Sequence, residues 1–170
     1  MNPVDYAVLA LRLWLGAVML AHGVNHARSL KGTAAWFSSK GFRQASLQAR
    51  ASAAGEIAIG AGLIVGLLTS FAAAGLVATM LVAFWSIHRF AGFFVFHRPD
   101  EGWEYVATLA VGALALAMIG PGAVSIDRAL GIDGTLDGYL GLAIVVGGVI
   151  AGFLQLAAFW RKPTPQEETK

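Results

Sequence analysis

Residues 4–27 read VDYAVLALRLWLGAVMLAHGVNHA, a run filled mostly by Leu, Ala, Val and Gly. A helix of about 20 apolar residues crosses the hydrocarbon core of a bilayer. In lipid only helices and closed barrels satisfy every backbone N–H and C=O, and barrel strands would be shorter and would alternate apolar with polar. This stretch shows neither feature, so it reads as a membrane-spanning helix. It does not read as a cleaved signal peptide: it lacks a basic leading segment, contains Arg12, and continues past any small-residue cleavage site without a hydrophilic mature domain.

The pattern recurs along the chain. Beside the first span, from Val4 to Ala27, apolar spans run from about Ala49 to Leu68, Phe71 to Phe96, Trp103 to Ile119 and Tyr139 to Trp160. Charged residues are only 13% of the chain and hydrophobic ones 57%, whereas a soluble domain carries about a quarter of its residues charged. The predicted fold class is all-α, an integral membrane helical bundle. Between the first two spans, GTAAWFSSKGF (32–42) is too short to cross. Its Trp36 and Phe37 beside Lys31, Lys40 and Arg43 suit either a short helix lying at the interface or a solvated loop with two aromatic anchors. Gly120, Pro121 and Gly122 stop the fourth helix, and SIDRALGIDGTLDG (125–138) follows as an exposed loop with one helical turn capped by Ser125.

Basic residues give the orientation. Arg28, Lys31, Lys40, Arg43 and Arg50 fall in or beside the first connection, Arg89 and Arg98 beside the third, and Arg161, Lys162 and Lys170 at the C-terminus. The other side offers Arg128 among Asp5, Asp127, Asp133 and Asp137. The positive-inside rule then predicts five crossings, an outside N-terminus and a cytoplasmic C-terminus, in the plasma membrane. Trp36, Trp103 and Trp160 fall at the cytoplasmic interface. This placement explains a pI near 9.2, so no nucleic-acid partner is expected. The chain has no cysteine, which excludes thiol–disulfide chemistry and thiolate-bound metals on the chain itself.

Arg12, His22, Glu56 and His88 each interrupt an apolar span, where an ionisable group costs several kcal/mol without a partner or water. Counting about 1.5 Å per residue from the cytoplasmic ends places His22, Glu56 and His88 at one shared depth of roughly 6–12 Å. His26 shares a helix face with His22, four residues on. Arg12 falls within a quarter-turn of that face, roughly 15 Å further out. Glu104 adds a polar group near the cytoplasmic mouth and a partner for Arg89, and Trp85 belongs to an aromatic run with Phe84, Phe90, Phe93, Phe94 and Phe96 that can flank an isoprenoid chain.

Glu and His titrate nearest neutral pH, so Glu56, His22 and His88 are the candidate proton-exchanging residues of a quinone or proton site. Arg12, His26, Glu104 and Trp85 are candidate substrate-binding residues. The bland alternative is a buried structural ion pair between Glu56 and Arg12 or a histidine. A protein-bound metal or haem is not expected, since i, i+4 histidines are common by chance and only His88 and Glu56 remain as further ligands. Ala58, Gly62 and Gly66 form one small-residue ridge, Gly148 and Gly152 another, both suited to close helix packing. Gly55 is placed to let another backbone approach the Glu56 carboxylate.

Four separated stretches carry a resemblance: LRLWLGAVMLAHGVNH (11–26), GTAAWFSSKGF (32–42), AGEIAIGAGLIVGLLT (54–69) and EYVATLAVGALALAMIGPGAVSIDRAL (104–130). In order and spacing they resemble the DoxX family over roughly Leu9 to Leu130. The matching positions are Arg12, the His22–Gly23 pair, Glu56, the Glu104–Tyr105 pair, Gly120 to Gly122, and Ser125 with Asp127. Where the family commonly has Lys three residues after the His-Gly pair, this chain has His26.

The resemblance implies a four-helix core over 1–130, to which this chain adds a transmembrane helix within 131–160, a glycine-rich docking surface or anchor, and a disordered cytoplasmic tail at 161–170. It also implies an integral membrane subunit of a quinone-linked redox complex, similar to thiosulfate:quinone oxidoreductase subunits or to membrane partners of superoxide dismutase and a sulfurtransferase. The alternative it allows is a non-catalytic scaffold or assembly subunit. Quinone is the implied cofactor; lipid and either partner subunits or further copies of the chain are the implied partners. Without cysteine, any sulfur chemistry resides on a partner or on a bound substrate.

Overall fold

The structure, a computed structural model, describes residues 1–96 and 101–163. The predicted disordered tail therefore lies, from residue 164 on, outside the described residues, as does Arg98. Helices form at all five predicted spans and at both predicted short segments: α1 (Pro3–Arg28), α2 (Leu30–Ser39), α3 (Ala45–Val65), α4 (Thr69–Ser86), α5 (Glu104–Ile119), α6 (Ile126–Ala129) and α7 (Gly138–Phe159).

Local chemistry sets several of these boundaries. Pro3 opens α1 behind Asn2, whose side chain accepts from the Val4 and Asp5 N–H groups while Asp5 accepts from the Asn2 N–H, a reciprocal cap. Ser125 caps α6 by accepting from the Arg128 N–H at 3.1 Å. Gly66 ends α3 at φ +68°. A side chain there would strike both the Arg12 guanidinium and Ser125, each 2.6 Å from the Cβ position, so only glycine fits.

The third span ends earlier than predicted. Helix α4 stops at Ser86, whose hydroxyl bonds back to the Val82 carbonyl at 2.7 Å, and a single 3₁₀ turn follows over His88–Phe90. The chain then folds back on itself. Trp103 N–H donates to Gly92 O at 3.0 Å, Glu104 N–H to Phe93 O at 2.9 Å and Gly102 N–H to Phe94 O at 3.1 Å. Phe93, Phe94 and Phe96 thus sit on a folded loop rather than on a helix. Hydropathy carries no stop signal here, because an aromatic loop and a membrane helix are equally apolar.

Close packing relies on glycine. Helix α1 lies against α3, with Gly16 facing Gly60 and Gly23 facing Ala53 and Ile57: a Cβ on Gly60 would sit 2.6 Å from the Leu20 backbone nitrogen and 2.7 Å from Gly16 O. These glycines, rather than the Ala58–Gly62–Gly66 ridge, bring the two backbones together. The Gly148–Gly152 ridge of α7 is spent within the chain, against Ala74, Ala78 and Leu81 of α4. A Cβ on Gly55 would meet nothing within 4 Å, so no backbone approaches Glu56 there. Met19, Leu63, Leu76 and Leu116 fill the shared core.

Helices α1, α4 and α7, of 26, 18 and 22 residues, are long and apolar enough to cross a membrane. Helix α5 is apolar and shorter at 16 residues, and α3 carries Gln48, Arg50, Ser52 and Glu56 in its first half. Trp14, Val111, Phe153 and Leu154 lie on outward faces, as lipid contact requires. The chain is an all-α, multi-pass membrane protein, a property consistent with the plasma membrane.

Candidate functional site

A cavity of about 250 Å³ opens between α1, α3, α4 and α5 beneath α2. On one side α1 presents His22 and His26 one turn apart, as their spacing predicts, and α3 presents Glu56. The three side chains offer ligand-type atoms all within 4.8 Å of one another. Glu56 is 5% exposed. Its Oε1 accepts from Ser52, one turn earlier on the same helix face. Its Oε2 faces His26 Nε2 at 3.8 Å and has no hydrogen-bond partner. His26 is flanked by Trp36 and Phe37 of α2, with ring centroids 6.4 and 5.9 Å away. Its Nδ1 lies 3.5 Å from the Thr33 hydroxyl, which itself donates to the His26 carbonyl at 3.2 Å.

His88 and Tyr105 form another wall of the same cavity. His88 is buried, and its Nδ1 lies 2.6 Å from the Glu101 backbone carbonyl. A carbonyl only accepts, so Nδ1 carries the hydrogen. Nε2 is then left as the acceptor for the Tyr105 hydroxyl at 2.8 Å. Both ring nitrogens of His88 are therefore engaged, and the tautomer is fixed by the backbone.

Phe42, Trp36 and Phe37 close the cavity from above, and the end of α7 holds this roof in place. Arg43 N–H donates to Phe159 O at 2.7 Å, Arg161 N–H to Gly41 O at 3.0 Å, and the Trp160 indole to Lys40 O at 2.9 Å. A second recess, between α3, α4 and α7, shares Phe42, Ser52, Glu56 and Thr79 with the first, so Glu56 stands at the partition. Gln48 and Gln155 bond across it at 2.9 Å.

Residues 7–89 match the family model described as DoxX. Over that stretch, just under half of its length, the chain is similar to the DoxX family. No curated protein and no solved structure gives a match. The DoxX segment contains Arg12, His22, His26, Glu56 and His88, whereas Tyr105, which completes the His88 wall, and Asp127 lie beyond it.

The remaining candidates fall elsewhere in this DoxX-like bundle. Arg12 is fully buried, but its guanidinium is spent at the far end of α1. Nε donates to Leu63 O at 2.9 Å, Nη2 to Ile64 O at 3.1 Å, and Nη1 to Val124 O at 2.8 Å and to Pro121 O. It joins the last turn of α3, whose carbonyls lack helical partners, to the Gly-Pro-Gly loop, and does not line the cavity. Trp85 packs on Phe153 and under the Arg89 guanidinium, 4.3 Å from its ring centre. Arg89 also lies over Phe90 and Trp160, while Glu104 accepts from the Val95 N–H at 2.9 Å. Neither Trp85 nor Glu104 lines the cavity. His88 reaches it from the 3₁₀ turn rather than from the helix on which its depth was counted.

Sequence reasoning missed Ser52, Thr33 and the hydroxyl of Tyr105 as site residues. Ser52 was findable, four residues before Glu56. Nothing local marks Thr33, which arrives on a different helix.

Proposed function

We propose that this chain is a membrane subunit of a quinone-linked redox complex, and that its cavity receives a quinone head group. One observation carries the reading: a cavity within a membrane bundle is lined by two separate sets of proton-active groups, Glu56 with the α1 histidines and His88 with Tyr105. Reduction of a quinone to a quinol takes up two electrons and two protons, one on each carbonyl oxygen. Two protonatable walls suit that requirement. The volume lies just below the roughly 300 Å³ at which pockets for drug-sized ligands begin, which suits a single ring whose isoprenoid tail leaves toward lipid. Electrons come from a partner subunit, since this chain has no cysteine. In this reading the four-helix core, α7 and five crossings place the N-terminus outside and the cavity toward the cytoplasmic face.

The test is quinone-dependent turnover in native membranes carrying Glu56→Gln or Tyr105→Phe. Loss of one general acid or base costs about 10²–10⁴-fold, with partner subunits still co-purifying. Full turnover per assembled complex in both variants would sink the redox reading and leave the scaffold.

A further inference from the structure

We propose that His22, His26 and Glu56 bind one divalent first-row transition-metal ion, with open coordination positions facing the cavity. This goes beyond the quinone reading and does not depend on it. Four observations converge on the same point.

Glu56 is 95% removed from solvent, yet only Oε1 is hydrogen-bonded, through Ser52. Oε2 is buried without a hydrogen-bond partner, an arrangement native proteins rarely leave uncompensated. Next, His26 turns Nε2 toward that carboxylate, with Trp36 and Phe37 flanking the ring and the Thr33 hydroxyl 3.5 Å from Nδ1, a surround that orients the ring as the outer shell of a metal-ligating histidine does.

The distance matters as well. Nε2 and Oε2 face each other at 3.8 Å, beyond the 2.7–3.2 Å of an N–H···O hydrogen bond. Two ligands of a tetrahedral ion with bonds of about 2.1 Å stand roughly 3.4 Å apart. The pair is therefore spaced for an ion between its atoms rather than for a shared proton. Finally, His22 brings a third ligand atom within 4.8 Å of the other two and lines the same cavity. His88 takes no part, as both its nitrogens are engaged.

Two imidazoles and a carboxylate suit Zn²⁺, Fe²⁺, Co²⁺ or Mn²⁺. Soft Cu⁺ prefers thiolates, and Ca²⁺ prefers an all-oxygen shell. Three protein ligands leave one or more positions for water or a cavity-bound molecule.

The full-length chain, purified in mild detergent and stripped with a chelator, is titrated with Co²⁺ and then with Zn²⁺. The expected result is one Co²⁺ per chain with visible d–d absorption that Zn²⁺ abolishes. In His22→Ala, His26→Ala and Glu56→Gln the affinity falls by more than about tenfold, the least that loss of even an outer-shell partner costs. His88→Ala binds as the unmodified chain does. His22 is exposed, so His22→Ala keeps the fold even where Glu56→Gln does not, and its melting curve verifies this. Absence of stoichiometric Co²⁺ and Zn²⁺ binding overturns the proposal. So does wild-type affinity in His22→Ala and His26→Ala, or a loss of binding in His88→Ala equal to theirs. The titration contains neither quinone nor partner subunit, so it reads metal binding alone; a bound ion takes the Glu56 wall out of proton exchange, and turnover of Tyr105→Phe tests the quinone reading separately.

Discussion

Replacing Arg12 with Met tests whether the most buried charge in the bundle is structural. Met retains much of the apolar stem but removes the donors that reach Leu63, Ile64, Pro121 and Val124. A hydrogen bond to a charged group contributes about 1.5–3 kcal/mol, so four would sum to roughly 6–12 kcal/mol if independent. They are not independent. The four carbonyls relax together, and removing the guanidinium also removes its desolvation cost. The expected net loss is about 3–5 kcal/mol, as for other broken buried ionic arrangements. Arg12→Lys should recover less than half of it, because an ammonium is a point charge that cannot span four acceptors in the guanidinium plane. Equilibrium unfolding in mixed detergent–SDS micelles, followed by tryptophan fluorescence, reads the difference. A loss below about 1 kcal/mol would show that these carbonyls are satisfied without Arg12 and would refute the clamp. Folded Arg12→Met should still bind Co²⁺ as the unmodified chain does, since the clamp and the cavity are separate.

Two further outcomes follow from the packing. Asp127 accepts from the Leu68 N–H at 2.7 Å, the Thr69 N–H at 2.9 Å and the Thr69 hydroxyl at 2.7 Å, capping α4 from the first turn of α6; Asp127→Asn turns an NH₂ toward one of these donors and should cost about 1–3 kcal/mol in the same unfolding assay. Gly60→Ala forces a methyl group against the α1 backbone and should cost about 1–3 kcal/mol. Gly55→Ala meets open space and should instead gain about 0.5–1 kcal/mol through helix propensity. Equal effects of the two glycine substitutions would show that α1 and α3 are not held as closely as described.

Depth along each helix was legible in the sequence, because rise per residue is fixed. Counting from the interface brought His22 and Glu56 to one level, and both line one cavity; His88 lines it too, but from a 3₁₀ turn and not from the helix on which its depth was counted. Residue spacing also put His22 and His26 on one face. Rotation of α3 was not legible. Hydrophobic periodicity fixes rotation in water, but in lipid the outward face is as apolar as the inward one. For the same reason the end of α4 was hidden inside an unbroken apolar run, and His88 was assigned to a helix it does not join. His26, a candidate substrate-binding residue that departs from the DoxX pattern, faces the unpartnered oxygen of Glu56 at 3.8 Å.

The sequence by itself determined that this is a helical membrane protein, roughly where its helices lie, and that His22 and Glu56 share a depth. These follow from composition, run length and fixed helical rise. Only the tertiary structure decided that Arg12 clamps helix ends while His26 joins the site. Gly16, Gly23 and Gly60 let α1 and α3 approach backbone to backbone. That contact sets the rotation which turns Glu56 toward the two histidines.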